Sequence, residues 1–457
     1  MTAWTRRFLG RTGIAAASVR MALVAGLVAA ALSVAAPARA IEIKPVTSPK
    51  GITAWLITDR SVPLVSLQFA FRGGSALDPK GKEGLAEMAS GLLDEGAGPY
   101  ASARFQKELE ENSITLRFNA SLDSFGGSLR ALNENRDQAV DLLRLALTQP
   151  RFDPEPLARV KGQMLAQVER EAERARNVAD QVWHRTAFGD HPYARDVDGT
   201  RRTIPTITAD DLRGFVKRRF GRDNLVIGVV GDISEGELVK LLDRAFGDLP
   251  EKAAPWTLPQ ARVAGAGKVV VVNRQIPQTV VQFGQAGIGI TDPDFYAATV
   301  MNYIMGGGGL TSRLADEVRE KRGLAYSIYT QLVTYDHGGV LMGWVATRNT
   351  RIKETLDLVR AEWTRMGREP VFREELDDAR AYLTGSYFTR LNSTARIAGL
   401  LVGIQLDNLG IDYLTRRNKL IEAVTAADIQ RVARRLLKPE ALTVVLVGKP
   451  EGITATP

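Results

Sequence analysis

Apolar and polar positions along the chain fall into two kinds of run. Val65 to Phe71, Leu225 to Val230, Val269 to Val272 and Leu442 to Val447 alternate or are apolar throughout, as strands require. Between them lie long stretches of helical period. Leu85, Met88, Ala89 and Leu92, for example, form one apolar stripe. The order predicts strand, strand, helices and strand, and it occurs twice. The fold class expected is α+β, with two homologous domains, each a mostly antiparallel sheet with helices packed on it.

The duplication shows as self-similarity at a nearly constant offset. Gln68-Phe69 returns as Gln282-Phe283, an offset of 282 minus 68, or 214, and Asp78-Pro79 returns as Asp292-Pro293 at the same spacing. Val140-Asp141-Leu142-Leu143-Arg144 answers Leu356-Asp357-Leu358-Val359-Arg360 at 356 minus 140, or 216. Thr208 to Gly231 answers Thr425 to Gly448 at 425 minus 208, or 217. In both copies a Thr-x-x-Asp helix start precedes a basic amphipathic helix and an apolar strand. Leu249 to Gly267 holds Pro250, Pro255 and Pro259 and breaks both periodicities. The expected domains are 41–250 and 268–457, joined by a linker at 251–267.

The first forty residues stand apart. Arg6, Arg7, Arg11 and Arg20 precede or flank an apolar stretch from Met21 to Ala36, and Ala38-Arg39-Ala40 offers a small-x-small cleavage site. Residues 1–40 are expected to be a signal peptide, which would make the protein periplasmic or secreted, with no stable membrane insertion after cleavage. Thr5-Arg6-Arg7-Phe8-Leu9 leaves both general and twin-arginine export open. Sixty basic residues less the leader's five arginines leaves 55 against 52 acidic ones, about +3, which gives no reason to expect nucleic acid as a partner. The chain has no cysteine, so it has neither disulfides nor a thiolate ligand. Its three histidines, His184, His191 and His337, are too far apart for a pair on one helical face to bind a metal. His337, in Tyr335-Asp336-His337-Gly338, reads as a turn between strands.

Several motifs occur together: Gly84-Leu85-Ala86, His191-Pro192-Tyr193, Gly306 to Arg313, Arg319-Glu320-Lys321-Arg322-Gly323-Leu324-Ala325-Tyr326, and the closing Val447-Gly448-Lys449-Pro450. On these the chain resembles the M16 peptidases (pitrilysin-like, inverted zincins) over nearly all of its expected mature length. The likeness is to the bacterial relatives of the processing-peptidase subunits, in which two duplicated chains pair around a chamber. Active members place His-x-x-Glu-His on the helix after Gly-Leu-Ala. The two histidines bind zinc, and the glutamate activates the bound water. Here that stretch is Glu87-Met88-Ala89-Ser90-Gly91, so Glu87, Ser90 and Gly91 stand at the degenerate positions. The third ligand position falls near Ala166. Glu87, Asp94 and Glu95 could be asked to hold another metal, but their spacing suits an exposed acidic face.

The resemblance also implies a substrate-binding pair seven residues apart, Arg319 and Tyr326 (326 minus 319). The guanidinium can hold a peptide carbonyl by forked hydrogen bonds, and the phenol can donate to an oxyanion. Gly306, Gly307, Gly308 and Gly309 either contact an extended peptide through their backbone or serve as a flexible lead-in to a helix. No cofactor is expected on this chain. The expected partners are a zinc-bearing M16 subunit and a peptide substrate, with a non-catalytic subunit of an exported heterodimeric peptidase as the leading function. The alternative is a peptide-binding or assembly protein with no role in proteolysis.

Overall fold

The computed structural model describes residues 42–389 and 391–456, and the expected signal peptide lies outside them. From Ile43 onward the chain forms one compact unit.

Six strands make the first sheet: β1 (Lys44–Thr47), β2 (Thr53–Thr58), β3 (Leu64–Arg72), β4 (Thr115–Ala120), β5 (Ser124–Leu132) and β6 (Leu225–Gly231), in the order β1-β2-β6-β3-β5-β4. The second sheet has five: β7 (Val269–Asn273), β8 (Gln278–Ala286), β9 (Ile328–Tyr335), β10 (Gly338–Arg348) and β11 (Thr443–Gly448), in the order β9-β10-β8-β11-β7. Apart from β1, the two orders are the same strand for strand. All neighbours run antiparallel except β2 with β6 and β7 with β11. The expected α+β class and duplication are what the structure has. No helix or strand lies between Phe246 and Val269.

The repeat extends to single atoms. Phe69 faces Gly127 across β3 and β5, and Phe283 faces Gly343 across β8 and β10. A Cβ on Gly127 would stand 2.5 Å from the Phe69 ring, and one on Gly343 2.4 Å from the Phe283 ring. Each glycine therefore makes room for a core aromatic.

Ten helices, six in the first half and four in the second, matter below. In the first, α1 (Leu85–Ser90) and α2 (Arg136–Thr148) are followed by α3 (Pro154–Glu173), α4 (Ala175–Phe188), α5 (Ala209–Arg219) and α6 (Glu235–Phe246). In the second, α7 (Ile352–Arg368) answers α2. Further on, α8 (Arg373–Thr389) leads to α9 (Thr394–Leu406) and α10 (Ala426–Leu436), which answer α4 and α5. Both Thr-x-x-Asp starts are closed capping boxes. Thr208 Oγ1 accepts from Asp211 N at 3.2 Å, and Thr425 Oγ1 accepts from Asp428 N at 3.1 Å.

Each half buries its own core on one face of its sheet. The opposite face is covered by a helix from the other half. Helix α4 lies on β8 and β11, where Trp183 is fully buried and its Nε1 donates to Thr443 O at 3.2 Å. Helix α9 lies on β3 and β6, with Ala398 and Leu401 fully buried against Val230. Both approaches are so close that a glycine sits beneath. A Cβ on Gly284 would be 2.6 Å from Trp183, and one on Gly228 2.5 Å from Ala398 O. Polar bonds lock the second crossing. Arg72 donates to Leu406 O and Gln405 O, each at 2.6 Å, and so satisfies carbonyls at the C-terminus of α9.

Candidate functional site

Helix α1 carries the stretch Glu87 to Gly91, where the resemblance implies the zinc motif of active M16 peptidases. It starts at Gly84, whose φ of 93° only glycine adopts freely. The Asp78 carboxylate accepts from Gly84 N at 3.1 Å and Ala86 N at 3.2 Å, satisfying donors at this helix start. Asp78 is 4% exposed, and burial pushes its pKa up to about 7 against the backbone donors and the Arg219 charge. Folded protein then holds a proton that the unfolded chain has released, so stability present near pH 4 is lost as pH rises through about 7. Asp78→Asn is expected to flatten that slope, an effect on the order of a few kcal/mol between the extremes. Thermal unfolding at acid and mildly alkaline pH checks it. Equal pH sensitivity in variant and parent would remove Asp78 as the cause.

The side chains at the positions that the resemblance assigns to zinc do not fit it. Glu87 supplies one carboxylate, the Ser90 hydroxyl already donates to Glu87 O at 2.8 Å, Gly91 has no side chain, and Ala166 on α3 has a methyl. Among the described residues no three His, Cys, Asp or Glu are arranged to hold a metal ion. Burial raises the Glu87 pKa, and the nearby Asp198 and Glu171 charges raise it further.

The expected exposed acidic face of Glu87, Asp94 and Glu95 is not what the fold makes. Asp94 is half-buried, and that burial lifts its pKa to about 6. Glu95 turns to Arg159 Nη2 and Ser102 Oγ, both at 2.5 Å. Tertiary packing of this short helix and the turns that follow it overrides the polar spacing that suggested a solvated surface.

The histidines have structural partners. His184 Nδ1 meets Asp180 O at 2.9 Å, and His191 Nε2 meets Pro259 O at 3.0 Å. His337 sits in the two-residue turn that joins β9 to β10, as the sequence predicts.

Arg319 and Tyr326 come together across a turn. Asp316–Glu320 forms a wide helical turn that closes with Lys321 N donating to Asp316 O at 2.9 Å. Gly323, at φ 56°, reverses the chain toward β9. The Arg319 guanidinium then lies 4.8 Å from the centre of the Tyr326 ring, while its Nε stands 3.2 Å from Glu320. Tyr326 is 83% exposed while Arg319 is half-buried, so the stacked pair turns its phenol outward. It sits two residues before β9, which is an edge of its sheet. An edge strand can accept an extended peptide through its backbone.

The four glycines are placed by tight packing as much as by freedom. A Cβ on Gly306 would stand 2.6 Å from Thr330 Oγ1, on Gly307 2.7 Å from Asn302 Nδ2, and on Gly308 2.9 Å from Tyr303 O. Gly309 has open space and a φ of 63°. They end one helical segment and start the next, so the run is a shaped corner with exposed Gly307, Gly309 and Leu310 at its tip.

Sequence reasoning missed a cleft of about 540 Å³ between α4 and the second sheet. Its walls include Arg176, His184, Asp198, Tyr329 and Gln331. Arg176 stacks on Trp344 at 4.7 Å and on Tyr329 at 5.5 Å. These residues lie in different halves, and no local motif announces their meeting.

Residues 54–201 match the family described as Insulinase (Peptidase family M16), and residues 206–383 match Peptidase M16 inactive domain. The chain is similar to the non-peptidase homolog YmxG of Helicobacter pylori, 29% identical over 342 residues, or 73% of this chain and 78% of that one. It is also similar to the uncharacterized zinc protease SCO5738 of Streptomyces coelicolor, 27% identical over 364 residues, or 75% and 78% of the two. Among solved structures it resembles a peptidase M16 inactive domain from Pseudomonas fluorescens, with a TM-score of 0.84 and 28% identity over 91% of this chain and 100% of that one.

Proposed function

Because the chain belongs to the M16 peptidase family and lacks its zinc-binding residues, we propose that it is the non-catalytic subunit of an exported heterodimeric metallopeptidase. It lends Arg319 and Tyr326 to peptide bound at the zinc of a partner that carries His-x-x-Glu-His. The observation that carries this reading is an asymmetry. Every donor position of the metal site is changed, yet the Arg319–Tyr326 pair is kept, stacked at 4.8 Å with its phenol turned outward. An outward phenol serves chemistry on another chain better than chemistry on its own.

The test measures peptidase activity and bound zinc for this chain, for a His-x-x-Glu-His relative, and for the two mixed. Activity is expected only in the mixture, with zinc on the relative. A relative that is fully active alone and indifferent to mixing would overturn the proposal. That result would favour the second reading, a peptide-binding or assembly protein, which has support in the non-peptidase description of the Helicobacter pylori relative.

A further inference from the structure

On its outer helical side the second half carries a groove of about 800 Å³ between α7 and α10. Arg360, Arg368, Arg434 and Lys438 line it, with Glu440 as the one acid. Trp363 and Leu437, 1% and 5% exposed, form an apolar floor.

Two of the groove's cations differ from the arginines around them. Nearby Arg351, Arg365, Arg431 and Arg435 all reach a carboxylate, at 2.7, 2.8, 2.7 and 2.6 Å. Among the described residues, the Arg360 and Arg368 side chains have no hydrogen-bond or ion-pair partner. Arg434 Nε donates to Gly367 O at 2.9 Å and Lys438 Nζ to Arg434 O at 2.8 Å, so carbonyls hold these two cations in place. Four cations gathered beside one carboxylate repel each other until an anion joins them.

The duplication supplies the comparison that identifies the anion. Arg144 and Thr148 on α2 stand where Arg360 and Thr364 stand on α7, and each threonine hydroxyl bonds back to its arginine's carbonyl, at 2.7 and 2.9 Å. Lys217 and Phe220 at the end of α5 answer Arg434 and Leu437. Here too there is a groove, of about 340 Å³, but one side of it is built by the chain leaving α6, Asp248-Leu249-Pro250. Arg144 donates to Asp248 at 3.3 Å, Leu249 is buried, and Arg222 pairs with Glu251 at 3.2 Å. Backbone bonds seat the segment, with Arg222 N donating to Pro250 O at 2.9 Å and Ala254 N to Arg218 O at 2.8 Å. Among the described residues no segment takes the corresponding place in the second half.

We propose that the groove between α7 and α10 docks an acidic segment of a partner protein. That segment lies as Asp248–Glu251 lies in the first half, with a carboxylate on Arg360 and an apolar side chain over Trp363 and Leu437. A lone phosphate would answer the charge and leave the apolar floor unused. The inference is independent of any part in proteolysis.

The test uses the whole protein and a fluorescent peptide made of two copies of Asp-Leu-Pro-Glu, followed by anisotropy at low salt. Saturable binding is expected, weakened about tenfold or more in Arg360→Gln/Arg368→Gln and abolished when the peptide's acids become amides. Arg373→Gln, on a 94% exposed side chain that is not part of the groove's lining, is expected to leave binding unchanged. No saturable binding, equal loss in Arg373→Gln, or an unaffected double variant would each overturn the proposal. So would binding of inorganic phosphate or phosphatidylglycerol vesicles, dependent on Arg360 and Arg368, without binding of the peptide.

Discussion

Arg319→Ala, assayed in the mixture with a zinc-bearing relative, is expected to lower kcat by about 100- to 1000-fold, the usual loss when one transition-state donor is removed. Association of the two chains should survive, because the side chain makes only a stacking contact and a surface ion pair within its own chain. Tyr326→Phe separates two roles of the phenol. It keeps the ring under the guanidinium and removes only the hydroxyl, so a loss of similar size would assign that hydroxyl to the reacting peptide. Steady-state kinetics with size-exclusion chromatography of the complex decide the matter. Unchanged turnover in both variants would sink the assignment, and a fall in complex formation would move the pair to the subunit interface.

The second large effect concerns the crossing helices. Trp183→Ala is expected to lower the free energy of unfolding by about 3–5 kcal/mol, the range for deleting a buried aromatic. The removed ring is fully buried, stands over Gly284, and donates to Thr443 O at 3.2 Å from the other half. Urea denaturation measures the change. A cost under about 1 kcal/mol, well below the usual range, would mean that α4 adds little to the sheet it covers.

Much of the fold was legible because the duplication prints the same pattern twice. Gln68-Phe69 and Gln282-Phe283 mark the central strands β3 and β8, and the paired Thr-x-x-Asp starts mark α5 and α10. The hairpin β4–β5 was harder to see, since Gly126-Gly127 interrupts its alternation. Their reason lies on another strand, where the Phe69 ring needs the space that a side chain on Gly127 would take. The crossing of α4 and α9 was not legible at all. Helical periodicity tells which face is apolar, but not which sheet it will meet, and Trp183 finds its acceptor 260 residues away.

The site divides in the same way. The identities of Glu87, Ser90, Gly91 and Ala166, where the resemblance places the zinc site, and the spacing of Arg319 and Tyr326 can be read along the chain. The stacking of that pair, the burial of Asp94 and the Glu87–Glu171–Asp198 neighbourhood depend on turns and on chain brought from far along the sequence. Unpaired Arg360 belongs with the second kind. Its meaning appears only beside Arg144, whose carboxylate comes from beyond α6.

The exchange of α4 and α9 makes this chain a dimer written as a monomer. Each half completes the other's sheet, so either half produced alone would present an uncovered apolar sheet face and a stranded helix. The stretch at 251–267 keeps the two in register at high local concentration, while the crossed helices hold them. A nick in that stretch would cut the polypeptide and leave the protein whole.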